Sequence, residues 1–163
     1  MTPEELYIDL FESLVELCDQ QGWGDPHSYA RSKEIYAAIA LGHKVSDTLS
    51  GADAYNQQGE PLEYKSTIGK RPQGNYTGIS VKDTWEEQKQ YLIDEKIGAY
   101  PEHYYNRFEG GKLVESWKMT GKKVMEVLLP KLKKNFFKKR GADPRLASTV
   151  TWTDIRNNGE KVI

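Results

Sequence analysis

The spacing of apolar residues changes near residue 51 of this 163-residue chain, from a helical period to a strand period. Before that point apolar side chains recur every three or four residues, at Leu6, Leu10, Leu14, Leu17 and Cys18 and again at Ile35, Tyr36, Ile39 and Ala40. After it, residues 62–67 alternate between apolar and polar, which is typical of a strand. Helical and strand segments along one chain predict an α/β fold, with a mixed central β-sheet flanked by α-helices.

Capping and turn residues divide the chain into the elements of a single domain, residues 1–163. Capping boxes are predicted at Thr2 with Glu5 and at Asp83 with Glu86. The predicted helices are about residues 2–21, Ser28 to Leu41, residues 83–97, and a fourth that starts near Thr120 and is broken or kinked at Pro130. The predicted strands are residues 52–55, 62–67, 76–82, 103–108 and 113–119, and a terminal pair around an Asn158-Gly159 turn.

The composition indicates a folded protein in a reducing compartment. Hydrophobic residues make up 37% of the chain, and no apolar run approaches the roughly 18 residues of a membrane span. The acidic N-terminus lacks the pattern of a secretory signal. The one cysteine, Cys18, cannot form an internal disulfide, and it falls in an apolar helical stripe that assigns it to the core. We therefore expect a cytoplasmic protein without a membrane segment.

The net charge of −1 conceals a strong asymmetry along the chain. Residues 1–60 carry 3 basic and 11 acidic side chains, whereas residues 118–140 carry 9 basic and 1 acidic. The basic cluster is Lys131, Lys133, Lys134, Lys138, Lys139 and Arg140. It has two interpretations, a solvated helix face or a surface that attracts phosphates.

Asp53, Glu63 and Lys65 are the residues whose pattern indicates chemistry. Side chains alternate across a strand, so Glu63 and Lys65 share one face while Leu62 and Tyr64 share the other. The turn before this strand allows Asp53 to approach them. Two converging carboxylates repel each other unless a cation lies between them, and oxygen ligands without His or Cys suit Mg²⁺.

These three side chains predict a magnesium-dependent site for phosphodiester hydrolysis. In this interpretation Asp53 and Glu63 are the metal ligands, and the ammonium of Lys65 stabilises the negative charge of the transition state. The competing interpretation is a surface hairpin that carries an ordinary salt bridge.

The stretch Gly51-Ala52-Asp53-Ala54, a turn, and then Glu63-Tyr64-Lys65-Ser66 resembles the PD-(D/E)xK nuclease superfamily, and within it the PvuII-type group of type II restriction endonucleases. The resemblance is specific over residues 35–66 and loose to the C-terminus. It implies a restriction-endonuclease-like fold, with Asp53 and Glu63 on the metal and Lys65 as the catalytic lysine. It also implies a homodimer that cuts both strands of duplex DNA at a short symmetric site, with the N-terminal helix (about residues 2–21) as the candidate dimerisation element.

The sequence departs from this group in three places. Ala52 replaces the proline of the motif, which leaves the carboxylate in place. Gly78-Ile79-Ser80 stand where that group has histidines that read the DNA site, so the target sequence does not follow from the resemblance. Ser50 stands where an acid is expected. Glu34 on the second helix is a candidate further carboxylate, as helix glutamates are in related nucleases, and its alternative is a solvated helix charge.

The segment after the catalytic strand is the candidate DNA-contact region. Its candidate residues are Lys70, Arg71, Asn75, Tyr76, Thr77 and Ser80. Such side chains reach base edges in the major groove or contact phosphates, and the alternative is an ordinary polar loop. The three histidines, His27, His43 and His103, show no metal-ligand spacing and are interpreted as structural.

Two other functions are compatible with the same residues. One is a structure-selective nuclease of the junction-resolvase kind, which shares the carboxylate–lysine core and the dimer. The other is a catalytically silent DNA-binding module, which would be favoured if Lys65 lay away from Asp53 and Glu63. A fold by itself does not establish an activity.

Overall fold

The computed structural model describes residues 1–47, 50–138 and 141–163. They form the predicted α/β fold, a mixed central sheet flanked by helices. The α-helices are α1 (Pro3–Gln21), α2 (Arg31–Leu41), α3 (Trp85–Tyr91), α4 (Gly121–Phe136) and α5 (Trp152–Asn158). The strands are β1 (Lys44–Val45), β2 (Ala54–Tyr55), β3 (Pro61–Thr67), β4 (Gly74–Ile79), β5 (Glu102–Glu109), β6 (Lys112–Thr120), β7 (Leu146–Val150) and β8 (Glu160–Lys161).

The central sheet has six strands in the order β1-β2-β3-β5-β6-β8. Among the strand pairs of the described residues in this sheet, only β3–β5 is parallel, and its register sets Glu63 opposite His103 and Lys65 opposite Tyr105. Strands β4 and β7 form a separate antiparallel pair. The parallel pair therefore brings a distant part of the chain directly beside the Glu-x-Lys strand.

Two apolar clusters lie on opposite faces of the central sheet. Tyr104 belongs to the cluster under α1 and α2, whereas its neighbour Tyr105 belongs to the cluster under α4 and the β4–β7 pair. Successive side chains of a strand point to opposite faces, so the two clusters are separated by the sheet. Glu63 and Lys65 lie on the face that carries Tyr105.

Helix α1 begins and ends as predicted, but most of its apolar stripe is exposed. Thr2 Oγ1 accepts a hydrogen bond from Glu5 N (3.2 Å), Glu5 Oε2 accepts one from Thr2 N (2.7 Å), and Gly22 ends the helix at a φ of 70°. Cys18 is buried as expected. Seven apolar side chains are between 39% and 68% exposed, namely Leu6, Tyr7, Ile8, Leu10, Phe11, Leu14 and Leu17. Within the described parts of the chain, Phe11 of this set stacks on His27, with the ring centres 3.6 Å apart, and the other side chains remain largely exposed.

Two predicted helix starts are wrong. Helix α2 begins at Arg31 rather than near Ser28. Helix α3 is capped by Thr84 with Glu87, one residue later than the predicted Asp83–Glu86 pair. It then passes into a π-helical turn, Leu92–Lys96.

Helix α4 continues through Pro130, so of the two predicted outcomes, a break or a kink, the break is wrong. Proline costs about 3 kcal/mol inside a helix, because it removes one backbone hydrogen bond. The helix nevertheless buries Val124, Leu128 and Leu132 completely, on both sides of the proline. Each such side chain contributes about 1.5–3 kcal/mol on burial, so packing outweighs the local cost.

The predicted terminal hairpin is also wrong. Helix α5 occupies Trp152–Asn158, and Thr151 caps it through the N–H of Asp154. The two terminal strands pair with different partners, β7 with β4 and β8 with β6. No helix in the part of the chain that the structure describes is both long and apolar enough to cross a membrane.

Candidate functional site

Strand β3 places Glu63 and Lys65 side by side on one face, as its alternation predicts. Leu62 and Tyr64 are buried on the other face, at 0% and 4% exposure. The ammonium Nζ of Lys65 lies 2.7 Å from Glu63 Oε1, and both side chains remain partly accessible. The pair is therefore formed within one strand and opens toward solvent.

Asp53 is attached to the same strand by two hydrogen bonds. Its backbone N–H donates to Leu62 O (3.0 Å), and its carboxylate Oδ2 accepts from the backbone N–H of Tyr64 (2.7 Å). Because Tyr64 lies between Glu63 and Lys65, the second bond holds the Asp53 carboxylate beside both of them. The structure thus brings together the three side chains of the predicted core.

The pKa of the Asp53 carboxyl group is raised by its burial and by the negative charges around it. Burial, the charge of Glu63 and the charge of Glu34 together raise the pKa of Asp53 to about 8, while the Tyr64 N–H and Lys65 act in the opposite direction. A divalent cation between the carboxylates would relieve this repulsion. Among the described residues no group of three or more His, Cys, Asp or Glu side chains is arranged to hold a metal. A pair of carboxylates nevertheless fits Mg²⁺, which often takes one or two from the protein and completes its shell with water and phosphate.

This shift predicts a pH-dependent difference between the wild type and Asp53→Asn without metal. The unfolded chain loses the Asp53 proton near its ordinary pKa of about 4, whereas the folded protein keeps it up to about pH 8. The contribution of this proton to stability is therefore full below about pH 4 and is lost as the pH rises to about 8. Asparagine carries no such charge, so the wild type should lose stability relative to Asp53→Asn over this range.

Thermal unfolding in EDTA at about pH 5 and about pH 8 measures this difference. Added Mg²⁺ at the higher pH should stabilise the wild type and leave Asp53→Asn unchanged. An equal stability difference between the two proteins at both pH values would contradict the assignment.

A cavity of about 300 Å³ opens over the Glu63–Lys65 pair. Its walls come from β3, β4 and the segment between the π-helical turn and β5. The lining residues are Gly51, Glu63, Lys65, Tyr76, Thr77, Ile79, Glu95, Lys96, Ile97, Tyr100 and His103. A space of this size with a lysine and a carboxylate at its base suits a charged group such as a phosphodiester.

Tyr100 is a site residue that the sequence did not reveal. It lines the cavity, and burial together with the charges of Glu63 and Asp53 raises the pKa of its hydroxyl to about 12. It is brought to the carboxylates by the β3–β5 pairing, since it lies just before β5. No local pattern marks such a residue, because its neighbours in space are distant in sequence.

Glu34 is held by a buried arginine. Arg31 Nη1 lies 3.4 Å from Glu34 Oε2, Arg31 Nε donates to Trp23 O (2.7 Å), and Arg31 Nη2 donates to Ser46 O. Arg31 is 1% exposed. Glu34 is close enough to raise the pKa of Asp53, so it lies near the site, but the guanidinium of Arg31 already occupies one of its oxygens. Its predicted role as a further carboxylate stays a prediction.

The predicted DNA-contact residues differ in accessibility. Tyr76 is buried, with its hydroxyl bonded to His103 Nδ1 (2.8 Å) and Tyr105 Oη (2.9 Å). Any contact of Tyr76 with DNA is therefore limited to the part of its ring that lines the cavity. The exposed candidates are Lys70, Arg71, Asn75, Thr77 and Ser80.

One lysine of the basic cluster makes contacts within the protein. Lys131 Nζ donates to Thr149 O (2.9 Å) and forms an ion pair with Asp154 Oδ2 (2.7 Å), so it is a structural contact between α4 and the C-terminal elements. Lys133, Lys134 and Lys138 are exposed. Lys139 and Arg140 lie outside the described residues.

Size alone does not identify the site. Two open depressions of about 430 and 590 Å³ lie beside His43 and the turn before β3. His43 Nδ1 is bonded there to Tyr64 Oη (2.6 Å), on the face of the sheet opposite Glu63 and Lys65. The chemistry of the side chains therefore selects the smaller cavity.

Comparison with known proteins gives no match, either to a protein-family model or to a curated protein sequence. The function proposed below is therefore inferred from the geometry of the site.

Proposed function

We propose that this protein is a magnesium-dependent DNA endonuclease of the PD-(D/E)xK kind, which hydrolyses phosphodiester bonds in duplex DNA as type II restriction endonucleases do. The observation that carries the proposal is the placement of Asp53 against the Glu63–Lys65 pair, through the 2.7 Å bond from Tyr64 N, beside a cavity of about 300 Å³ that this pair lines. A surface salt bridge needs neither a second carboxylate nor a cavity, so the competing interpretation is less well supported.

Each of the three side chains has its own part in the proposed reaction. Asp53 and Glu63 are the residues that would hold Mg²⁺, and a bound magnesium ion supplies the positive charge that polarises a phosphoryl oxygen. Lys65 stabilises the negative charge that develops on the phosphoryl oxygens during bond cleavage. The Tyr64 N–H keeps the Asp53 carboxylate in position before substrate arrives.

The duplex is proposed to lie across the mouth of the cavity, against β4 and the loop before it. Thr77 lines the cavity and is exposed, as are Lys70, Arg71, Asn75 and Ser80. Thr149 Oγ1 donates to Asn75 Oδ1 (2.9 Å), which leaves the amide N–H groups of Asn75 to meet acceptors on bases or phosphates. Exposed lysines of α4 would add attraction for phosphates that weakens as salt rises.

A homodimer through α1 is part of this proposal, because cutting both strands of a symmetric site needs two active sites. The support is the exposed apolar face of α1, which a monomer would leave in contact with water. Acidic residues Glu12 and Glu16 lie on another side of the same helix, so a second copy would meet the apolar side chains rather than the charges.

Replacing Leu10 and Leu14 together by Gln should dissociate this dimer, because both side chains are exposed on the apolar face. The matched control replaces Glu12 and Glu16 by Gln, which adds the same residues on the other side of the helix. Sedimentation velocity across a range of concentrations should show a dimer for the wild type and the control and a monomer for the Leu variant. A monomeric wild type, with or without DNA, would contradict the dimer.

One digestion experiment separates the proposed activity from its alternatives. Purified protein is incubated with linear DNA of mixed sequence and with a four-way junction, each with Mg²⁺ or with EDTA, and the product ends are sequenced. Discrete fragments of the linear DNA that share an end sequence, only with Mg²⁺, are the expected result. Cleavage of the junction alone would favour a structure-selective nuclease, and binding without cleavage of either DNA would favour a silent DNA-binding module.

A further inference from the structure

Lys65 is held at three points, one of which is an aromatic ring. Its ammonium lies 2.7 Å from Glu63 Oε1 and 4.7 Å from the centre of the Tyr76 ring. A cation over a ring face is attracted by the negative charge of that face. The stem of Lys65 packs against Gly74, where an added Cβ would lie 3.1 Å from Lys65 Cγ and would overlap the ring of Tyr105. Strand β4 thus contacts the lysine through Gly74 and Tyr76.

The ring of Tyr76 is itself fixed by a chain of buried hydrogen bonds. Tyr76 Oη lies 2.8 Å from His103 Nδ1 and 2.9 Å from Tyr105 Oη, and His103 Nε2 lies 2.9 Å from Ile97 O. His103 and Tyr105 are fully buried. These hydrogen bonds therefore link β4, β5 and the end of the π-helical turn directly beneath the cavity.

The donors and acceptors of Ile97 O, His103, Tyr76 and Tyr105 allow only one direction for this series of hydrogen bonds. Ile97 O can only accept, so His103 Nε2 carries a proton. His103 is fully buried and its bonded partners, Ile97 O and the Tyr76 hydroxyl, carry no negative charge, so the ring is neutral and its Nδ1 is an acceptor. The Tyr76 hydroxyl must then donate to His103, and the Tyr105 hydroxyl must donate to Tyr76. Each hydroxyl is committed, and the orientation of the Tyr76 ring is determined.

We propose that Tyr76, anchored by His103 and Tyr105, is a positioning residue that fixes the ammonium of Lys65 in the candidate active site. The proposal rests on the nuclease function proposed above. Tyr76 acts through Lys65 rather than on the substrate, because its hydroxyl is turned into the core and its ring face meets the lysine. Small displacements of a catalytic group have large effects on rate, so an anchored ring is a direct way to set the position of a flexible lysine.

Two substitutions of Tyr76 distinguish the contribution of its ring from that of the hydroxyl that anchors it. Tyr76→Phe keeps the ring and removes the hydroxyl, whereas Tyr76→Leu removes both. The matched control is Tyr104→Phe, which deletes a tyrosine hydroxyl bonded to Glu102 (2.8 Å) on the opposite face of the sheet. Thermal unfolding first establishes that each variant is folded.

The kinetic readout is the cleavage of DNA with Mg²⁺. We expect kcat to fall about tenfold in Tyr76→Phe and up to about a hundredfold in Tyr76→Leu, with KM for DNA nearly unchanged. Tyr104→Phe should keep the wild-type kcat. Unchanged kcat in folded Tyr76→Leu would overturn the proposal.

A second readout does not need activity. The rate at which acetic anhydride modifies Lys65, measured by mass spectrometry against the exposed Lys112, should rise in both Tyr76 variants and stay unchanged in Tyr104→Phe. If kcat falls while the reactivity of Lys65 does not change, Tyr76 does not act through the lysine and the proposal is wrong. If the wild type cuts no DNA, the nuclease function fails, and the labelling alone still decides whether Tyr76 positions Lys65.

Discussion

Replacing Lys65 by Ala is expected to slow DNA cleavage at least roughly a hundredfold, the usual scale for loss of one electrostatic catalytic group, and to leave most of the DNA affinity intact. The ammonium of Lys65 lies at the base of the cavity, 2.7 Å from Glu63 Oε1, where charge would develop in the reaction. Affinity, in contrast, comes from many phosphate contacts spread over the surface. Asp53→Ala should behave in the same way, because it removes a proposed metal ligand.

The measurement is a gel-shift assay together with a cleavage time course on one DNA. Lys112→Ala is the matched control, since Lys112 is an exposed lysine at the start of β6 and its loss removes the same charge away from the cavity. The control should bind and cut like the wild type. A Lys65→Ala protein that cuts as fast as the wild type would mean that the Glu-x-Lys pattern is a coincidence.

Replacing Arg31 by Met is expected to destabilise the fold by about 3 kcal/mol. The buried guanidinium bonds the carbonyls of Trp23 and Ser46 and pairs with Glu34. Methionine fills a similar volume but leaves these acceptors without their donor, which costs about 1–3 kcal/mol for each buried group.

Denaturation in urea compares this variant with Arg156→Met, the same change at an exposed arginine of α5. Surface substitutions of this kind stay within about 0.5 kcal/mol of the wild type. If both variants lose the same small amount of stability, Arg31 does not organise the region around α2 and the candidate site.

The parts of the site that the sequence predicts are those fixed by local geometry. Glu63 and Lys65 share a face because strand side chains alternate, and this needs no knowledge of the remaining fold. The capping box at Thr2 and Glu5 is local for the same reason. Asp53 is predicted to join them because only a short turn separates it from β3.

The parts that the sequence misses depend on tertiary contacts. Tyr100 and His103 reach the site through the parallel pairing of β3 with β5, which no short pattern encodes. The apolar stripe of α1 correctly assigns Cys18 to the core, but the sequence does not show that Leu10 of the same stripe is exposed. The sequence predicts a strand where helix α5 lies, because Asn158-Gly159 resembles the turn of a hairpin, whereas Thr151 caps a short helix there through the N–H of Asp154.

The most direct test of the central claim is the cleavage of supercoiled plasmid DNA by the purified wild-type protein in three conditions, Mg²⁺, Ca²⁺ and EDTA. We expect cleavage with Mg²⁺ and no cleavage with EDTA. With Ca²⁺ we expect binding without cleavage, because the looser coordination of Ca²⁺ accepts the carboxylates but positions the reacting groups poorly. Loss of the Mg²⁺-dependent products in Lys65→Ala and in Asp53→Ala would assign the activity to this site. Equal cleavage in EDTA and in Mg²⁺, or no cleavage of any DNA by the wild type with Mg²⁺, would contradict the proposal that Asp53, Glu63 and Lys65 form a magnesium-dependent nuclease site.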